Sequence, residues 1–320
     1  MVRYEYYKPS TIPEAMGLAG QFGGDALYVA GGTDVMVSMR RRKLSPRALI
    51  SLCHIQELAR IDLPVLGAGM THRQIQENDT VRDRFSALHD AVSHLGSPQI
   101  RNVATVGGNI CNGAPSADTA CPLLVLDAEA VIAGPAGDRR VPLEDFFVGP
   151  GRTVLEGQEI LKALPMASFG ENTSSAYIKH TRRNAMDLPI VGVAVRITVD
   201  RTDVRCRDVL CGTAPISEIL AHFKDEELRC EDIRIAMGVV GPRPLRARKA
   251  EASLKGRIVS EEAVAATAEI AASESTPRDS VRGEAWYRRE MVSVLVRRAV
   301  MKSIDRILRP DERIYPDRLW

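Results

Sequence analysis

The chain has few groups that could hold a metal or staple a fold. Its six cysteines, Cys53, Cys111, Cys121, Cys206, Cys211 and Cys230, include no CxxC pair. That spacing argues against zinc sites and disulfide frameworks and leaves buried thiols as the default. The histidines, His54, His72, His89, His94, His180 and His222, form no HxxxH or HExxH arrangement, so no metal site is expected in this chain. Charge of one sign is also missing: Lys+Arg 43 against Asp+Glu 41 leaves +2, and no overall field draws the chain to nucleic acid or an anionic membrane. No apolar run approaches the roughly 20 residues of a membrane helix, and the opening MVRYEYYKPS lacks the hydrophobic core of a signal peptide. The expectation is a cytoplasmic protein with no membrane span. Neither the GxGxxG nor the GxxxxGKS phosphate motif occurs, nor a repeat of solenoid type.

What is present is an ordinary globular composition, 45% hydrophobic and 26% charged over 320 residues, long enough to bury about three quarters of the unfolded surface. Thr11 and Glu14 form a capping-box pattern with Pro13 in the first turn, predicting a helix that stops at Gly23-Gly24. The run Leu27-Tyr28-Val29-Ala30 reads as a strand feeding a Gly31-Gly32 turn, and 48–52 and 65–68 read as further strands. Thr80 is placed to cap a helix through Phe85, Leu88, Val92 and Leu95 that ends at Gly96 and Pro98. Strands are expected over 130–133 and 159–166, then a polar linker over 168–174 that marks a domain boundary. Beyond it, 176–179, 190–199, 204–211 and 232–239 are spaced like an antiparallel meander, followed by a helix from Ser260 and a C-terminal helix from Tyr287 to Leu308.

Two glycine segments carry the chemistry. Ala30-Gly31-Gly32-Thr33-Asp34 follows a strand, and consecutive glycines let a backbone approach a ligand with no Cβ between, their N–H groups forming an anion nest. Taken alone it is also compatible with an ordinary tight turn. Thr105-Val106-Gly107-Gly108-Asn109 repeats the design, and two such loops can clamp one diphosphate. The stretch after it, to Asp118 and Thr119, reads either as a wall for a large polar ligand or as a surface loop with an Asx turn. Arg40, Arg41, Arg42 and Lys43 are a solvated loop or a face for a partner protein. Arg288, Arg289, Arg297 and Arg298 read as surface or intersubunit ion-pair donors.

The spaced set AGGTD (30–34), IRNVATVGGNICN (100–112), Asp118, AYIKHTRR (176–183), GPRPLRARKAE (241–251) and WYRREM (286–291) resembles the FAD-binding medium subunit of molybdenum hydroxylases. That family includes the flavoprotein subunits or domains of xanthine dehydrogenase, carbon monoxide dehydrogenase and 4-hydroxybenzoyl-CoA reductase. The likeness runs in order through essentially the whole chain, with IRNVATVGGN its most specific piece.

The resemblance implies an α+β chain. A vanillyl-alcohol-oxidase-like (PCMH-type) FAD domain would occupy 1–172, as two α+β subdomains over about 1–58 and 59–172. A smaller α+β domain with an antiparallel sheet would follow over 173–285, then a helix and tail over 286–320. It implies FAD held by Tyr28, Val29, Ala30, Gly31, Gly32, Thr33, Asp34 and Val35 and by Thr105, Val106, Gly107, Gly108 and Asn109, through backbone N–H groups and the hydroxyls of Thr33 and Thr105. Leu95, Asp118, Ile160, Leu161 and Lys179 match positions lining the flavin pocket, Leu95 and Ile160 as apolar walls and Lys179 as a cation that favours the reduced flavin.

The chain would hold no catalytic residue for the organic substrate. A large subunit with a molybdopterin-type molybdenum cofactor and a small subunit with two [2Fe-2S] clusters would complete a heterotrimer, itself paired as a dimer, with FAD passing electrons to an external acceptor. Asn109 to Leu126 runs on without an insertion, so the additional [4Fe-4S] cluster of the 4-hydroxybenzoyl-CoA reductase subunit is not expected. The rival readings are a free-standing FAD oxidoreductase of the same superfold and a scaffold that has lost flavin. The substrate, and the choice of NAD, ferredoxin, quinone or oxygen as acceptor, are not legible in this chain.

Overall fold

A computed structural model of the chain describes residues 3–183, 185–200 and 228–308. Its first unit is a parallel sheet: β1 (Glu5–Tyr7), α1 (Ile12–Phe22), β2 (Ala26–Val29), α2 (Val35–Arg40) and β3 (Ala48–Ser51), with strand order β1-β3-β2. Parallel strands need crossovers, and the two helices supply them. Thr11 caps α1 by accepting from Glu14 N, and the helix ends at Gly23 with φ 55°, as the sequence predicts. Ile12, Ala15 and Ala19 pack against Ile50 on one side of the sheet, and Met39 of α2 packs on Val29 and Leu49 on the other.

The second unit runs through β4 (Ile61–Asp62), β5 (Val65–Gly67), α3 (His72–Gln76), α4 (Asp79–Arg84), α5 (Ser86–Ser93), α6 (Pro98–Arg101), α7 (Val106–Cys111) and α8 (Ala120–Val125). It continues with β6 (Glu129–Gly134), β7 (Gly137–Pro142), α9 (Leu143–Phe146), β8 (Phe147–Gly149), β9 (Arg152–Thr153) and β10 (Ile160–Pro165). The main sheet is antiparallel in the order β4-β5-β10-β6-β7, and Leu66, Leu88, Val106, Leu123 and Phe146 lie in the core beneath it. The single helix expected after Thr80 is two. Asn78, not Thr80, is the cap, its Oδ1 accepting from Val81 N at 3.0 Å. The chain then breaks at Phe85, whose ring is buried in the core.

The third unit pairs β11 (Thr173–His180), β12 (Val191–Asp200), β13 (Arg229–Gly238) and β14 (Leu245–Arg246) in that order, antiparallel throughout. It is backed by α10 (Arg248–Leu254), α11 (Glu261–Glu274) and α12 (Ala285–Leu308). The strand expected over 204–211, with Cys206 and Cys211, lies outside the described residues. Val193, Val195 and Ile197 face Val292, Leu295 and Ala299 of α12, whereas Ala194 and Ala236 on the opposite face join the core of the second unit. The sheet is therefore covered on both sides, which is why β12 reads as a nearly continuous apolar run.

Two sequence expectations are corrected here. Arg288 is not at the surface: it is buried, and its guanidinium donates to Ile190 O, Val239 O and Ser280 Oγ, tying α12 to the sheet. Cys53 is exposed, whereas Cys121 and Cys230 are buried thiols. Among the described residues no helix is long and apolar enough to cross a membrane, and no cluster of side chains could hold a metal ion.

The second and third units are joined by a buried carboxylate. Asp90 on α5 accepts from both Arg306 guanidinium nitrogens at 2.8 and 2.9 Å, from Lys302 at 3.4 Å and from Tyr177 N at 3.0 Å. Burial alone raises the Asp90 carboxyl, but Arg306 and Lys302 outweigh it and hold the group well below the usual carboxylate range. A carboxylate whose folded pKa is depressed stabilises the fold above its unfolded value, 3.8, and loses that contribution as pH falls through the folded value. Asp90→Asn is expected to cost about 3–5 kcal/mol by removing the carboxylate charge that Arg306 and Lys302 face. Urea midpoints should register that loss at neutral pH, and the variant should lack the wild type's added decline below pH 4 that Asp90 contributes.

Candidate functional site

The two glycine segments meet. Loop one, 30–34, leaves the end of β2, and Gly31 lies so close to the start of loop two that a Cβ there would sit 2.0 Å from Val103 O and 2.7 Å from Ala104 Cα. Only glycine permits that approach. Gly107 is equally confined, 2.6 Å from Ala68 O at its Cβ position, while Gly32 and Gly108 meet no backbone, the nearest atoms to their Cβ positions being Met36 Cγ at 3.4 Å and Thr105 Oγ1 at 3.1 Å. Gly32 has φ +72°, a left-handed backbone that L side chains adopt poorly. Two glycines thus seat the loops on the protein and two leave bare backbone.

The loops differ in what that backbone offers. Among the described residues none accepts from the N–H groups of Gly32, Thr33 or Asp34. In loop two four of the five amides are used: Val106 N donates to Met70 O, Gly107 N to Ala68 O, Gly108 N to Thr105 Oγ1 and Asn109 N to Thr105 O. In loop two only Thr105 N has no acceptor among the described residues. Loop two is the capped start of α7, with Thr105 buried as its cap, and most of the free donors are on loop one.

Side chains along these runs divide in the same way. Val29 and Val35 belong to the small core under α2, Val106 is in the main core, and the Tyr28 hydroxyl donates to Gln158 O at 2.9 Å, burial pushing its pKa up to about 12. Ala30 O accepts the Cys53 thiol. Thr33 is half-buried and Asp34 exposed. Ile160 and Leu161 do not wall a cleft, because their side chains point to opposite faces of β10, one into the core beside α1 and the other into the main core. Leu95 is buried just ahead of the turn at Gly96, where Arg101 donates to Leu95 O at 3.0 Å and to Gln76 Oε1 at 3.1 Å.

Asp118 and Lys179 form the second half of the site. Lys179 Nζ is 2.8 Å from Asp118 Oδ2 and donates to His94 O at 3.2 Å, and the Tyr177 hydroxyl donates to Asp118 Oδ1 at 3.1 Å. Both charged side chains are at least nine-tenths buried. Burial pushes the Asp118 carboxyl up, and Lys179 and Tyr177 pull it back. Lys179 is therefore not a solvated lysine but half of an ion pair between the second and third units. Asn109 connects this pair to the glycine loops: its Oδ1 accepts from Thr119 Oγ1 at 2.6 Å, one residue after Asp118.

The sequence reading did not nominate Tyr177, although its i, i+2 spacing from Lys179 on a strand places both on one face. It also missed His72, which is buried beside loop two, with His72 N donating to Ala104 O. The His72 Nδ1 has no partner among the described residues, and burial, aided by Arg101, lowers the ring's pKa to about 4. No sequence pattern marks it.

Comparison with known proteins covers nearly the whole chain. Residues 2–166 match the FAD binding domain in molybdopterin dehydrogenase and residues 176–303 the CO dehydrogenase flavoprotein C-terminal domain. The chain is 30% identical over 305 residues to a xanthine dehydrogenase FAD-binding subunit of Escherichia coli O157:H7, covering 93% of this chain and 95% of that one. It is 31% identical over 302 residues to the carbon monoxide dehydrogenase medium chain of Hydrogenophaga pseudoflava, covering 93% and 96%. Among solved structures, the Hydrogenophaga pseudoflava carbon monoxide dehydrogenase lacking the Mo-pyranopterin moiety superposes with a TM-score of 0.82 at 32% identity, over 95% of this chain and 98% of that one. The reconstituted enzyme from Oligotropha carboxidovorans gives 0.83 at 27%, over 96% and 100%.

The division among the glycines is testable by stability alone. Gly31→Ala forces a methyl into the Val103 backbone and should cost about 3 kcal/mol or more, the upper end of overpacking penalties. Gly108→Ala, whose added Cβ meets only the Thr105 cap hydroxyl at 3.1 Å, should cost about 1 kcal/mol at most, within the range of a perturbed cap. Equal thermal melting of the two variants would contradict the assignment.

Proposed function

The chain belongs to the family of FAD-binding subunits of the molybdenum hydroxylases, and from that membership we propose that it takes electrons from [2Fe-2S] clusters of a small partner subunit onto FAD and delivers them to an external acceptor. A large subunit with a molybdopterin-type cofactor would oxidise the organic substrate, so the substrate pocket would lie outside this chain. The enzyme is an oxidoreductase, and its FAD domain is followed by the C-terminal flavoprotein domain. The observation that carries the reading is the backbone contact of Gly31 with Val103 and Ala104, which brings both glycine loops of this family to one place.

The residues fit the cofactor. Gly32, Thr33 and Asp34 would donate backbone N–H groups to the diphosphate, because those groups lack acceptors among the described residues. Gly108 would let the ligand lie against the start of α7, since no Cβ stands in the way. When bound, FAD supplies the capacity to take electrons singly and release them as a pair. Thr105 and Asn109 would act indirectly, holding loop two in shape through the cap and through Thr119. Lys179 would set the charge near the flavin, with Asp118 limiting how much positive field reaches it and Tyr177 orienting that carboxylate.

Acid precipitation of the purified protein should release FAD into the supernatant, and Gly108→Ala should lower the FAD-to-protein ratio while leaving the melting temperature near wild type. Flavin left on the denatured protein, or FMN in place of FAD, would refute the reading. Oxidation of an organic substrate by the single chain would favour the free-standing oxidoreductase instead.

The ion pair gives a sharper test. Removing the ammonium leaves the Asp118 carboxylate beside a ring that gains negative charge. Lys179→Met should therefore lower the flavin potential by roughly 20 to 65 mV, for about 1 to 3 kcal/mol at 30 mV per 1.4 kcal/mol. Adding Asp118→Asn should bring the potential back toward wild type. Redox titration of the FAD-replete variants decides it, and an unchanged potential in Lys179→Met would remove the lysine from the flavin's surroundings.

A further inference from the structure

Two buried carboxylates share Tyr177, which donates its N–H to Asp90 and its hydroxyl to Asp118. They are held differently. Asp90 also accepts from two cations, Arg306 and Lys302. Asp118 has one cation, Lys179, whose ammonium is shared with His94 O. Among the described residues no backbone N–H donates to Asp118, so two donors serve a carboxylate that can accept about four hydrogen bonds.

Charge balance gives that difference a consequence. With FAD oxidised the ring is neutral and Lys179 cancels Asp118, so the three groups together carry no net charge. Two electrons and one proton leave the ring with one negative charge, and little water is at hand to offset it, because the side chains of Lys179 and Asp118 are only 5% and 8% exposed. An uncompensated charge in such surroundings is costly, and a group there changes its protonation instead. The titratable groups beside Asp118 are Lys179 and Tyr177 on β11, His94 at the end of α5 and Cys121 on α8. Burial pushes the Tyr177 phenol and the Cys121 thiol well above their ordinary values, so near neutral pH neither gives up its proton. Burial pushes the Asp118 carboxyl up as well, which for a carboxylate is the direction of binding one. His94 is exposed and is the rival acceptor.

We propose that Asp118 takes up a proton when the flavin beside it is reduced and returns it on reoxidation. The inference rests on the reading of Lys179 and Asp118 as neighbours of the flavin, and adds the proton that travels with its electrons. Two electrons come from the reductant and one proton joins the ring. A second proton, from solvent, forms an O–H bond on the Asp118 carboxylate and breaks no other bond there. Lys179 then faces one negative charge on the ring in place of one on Asp118, and the site is neutral again. The negative ring raises the proton affinity of Asp118, so uptake is confined to a window of pH. Below it Asp118 is protonated with either form of the flavin, and above it with neither.

The test measures the flavin potential of the FAD-loaded full chain against pH, together with the infrared difference between its reduced and oxidised forms. The comparison is with Asp118→Asn combined with Lys179→Met, whose pair is uncharged and cannot titrate but leaves the oxidised site neutral, as in wild type. Within the window wild type should take up one more proton per electron pair than this variant. Its potential should therefore fall more steeply by about 30 mV per pH unit, the value of a tenfold change for a two-electron couple. Reduction of wild type should also bring up the C=O band of a protonated carboxyl, absent from the double variant. Tyr177→Phe removes a donor that favours the ionised carboxylate and should move the window to higher pH, a displacement that loosened packing does not produce. His94→Gln should keep the extra proton. Equal proton uptake and the same carboxyl band in wild type and the double variant overturn the proposal, as does loss of the extra proton in His94→Gln. If the double variant fails to fold or to hold FAD, Tyr177→Phe decides, and a window that stays in place overturns it. A wild-type chain without FAD refutes the flavin reading itself, a failure visible in the absorption spectrum before any slope is compared.

Discussion

The arrangement of the site depends on one buried ion pair. Lys179 reaches from the third unit to Asp118 in the second, and an ion pair this deep is tolerated only when its remaining polar positions are satisfied. The Tyr177 hydroxyl and His94 O meet that requirement, and both contacts constrain the surrounding chain. The Tyr177 hydroxyl lies 2.6 Å from where a Cβ on Gly192 would be, and Cys121 lies 3.1 Å from the corresponding point on Gly238. Gly192 thus leaves room for the Tyr177 ring of the adjacent strand, and Gly238 for Cys121 of the second unit. With Asp90 anchoring the far end of α12, the two units are fixed by charge at two places on β11 and its neighbours.

Fixing that interface also fixes the glycine loops. Asp118 is next to Thr119, Thr119 holds Asn109, and Asn109 belongs to the first turn of α7, whose preceding residues touch Gly31. Loop two is consequently held in place, with four of its five amides consumed by Met70, Ala68 and Thr105. Loop one, beside it, keeps its donors free. A rigid wall against a donor-bearing loop is a division of labour suited to holding an anion, because the free N–H groups are pre-positioned and need no reorganisation.

Much of this was readable in the residues. The Thr11 cap and the strand before Gly31 follow from short-range chemistry, in which a hydroxyl meets an amide three residues on or an apolar run ends at a glycine pair. The family likeness carried Asp118 and Lys179 as site positions, but not that they bind each other. Thr80 failed as a cap because Asn78 lies two residues earlier and satisfies Val81 N, and burial of Phe85 then broke the helix. Arg288 failed as a surface residue because three acceptors converge on it from separate segments, at Ile190, Val239 and Ser280.

Taken alone, the sequence determined the α+β class, the two glycine loops, the lack of a metal-ligand pattern and the family, since each rests on residue type and spacing along the chain. Only the tertiary structure decided which glycines seat a loop and which expose it, because that depends on what lies within about 3 Å of a missing Cβ. It alone also decided that most amides of loop two are satisfied within the protein, that Ile160 and Leu161 face two cores, and that Lys179 is neutralised by Asp118. Each of these depends on partners dozens of residues away, and a pairing at that distance leaves no periodicity in the chain from which it could be read.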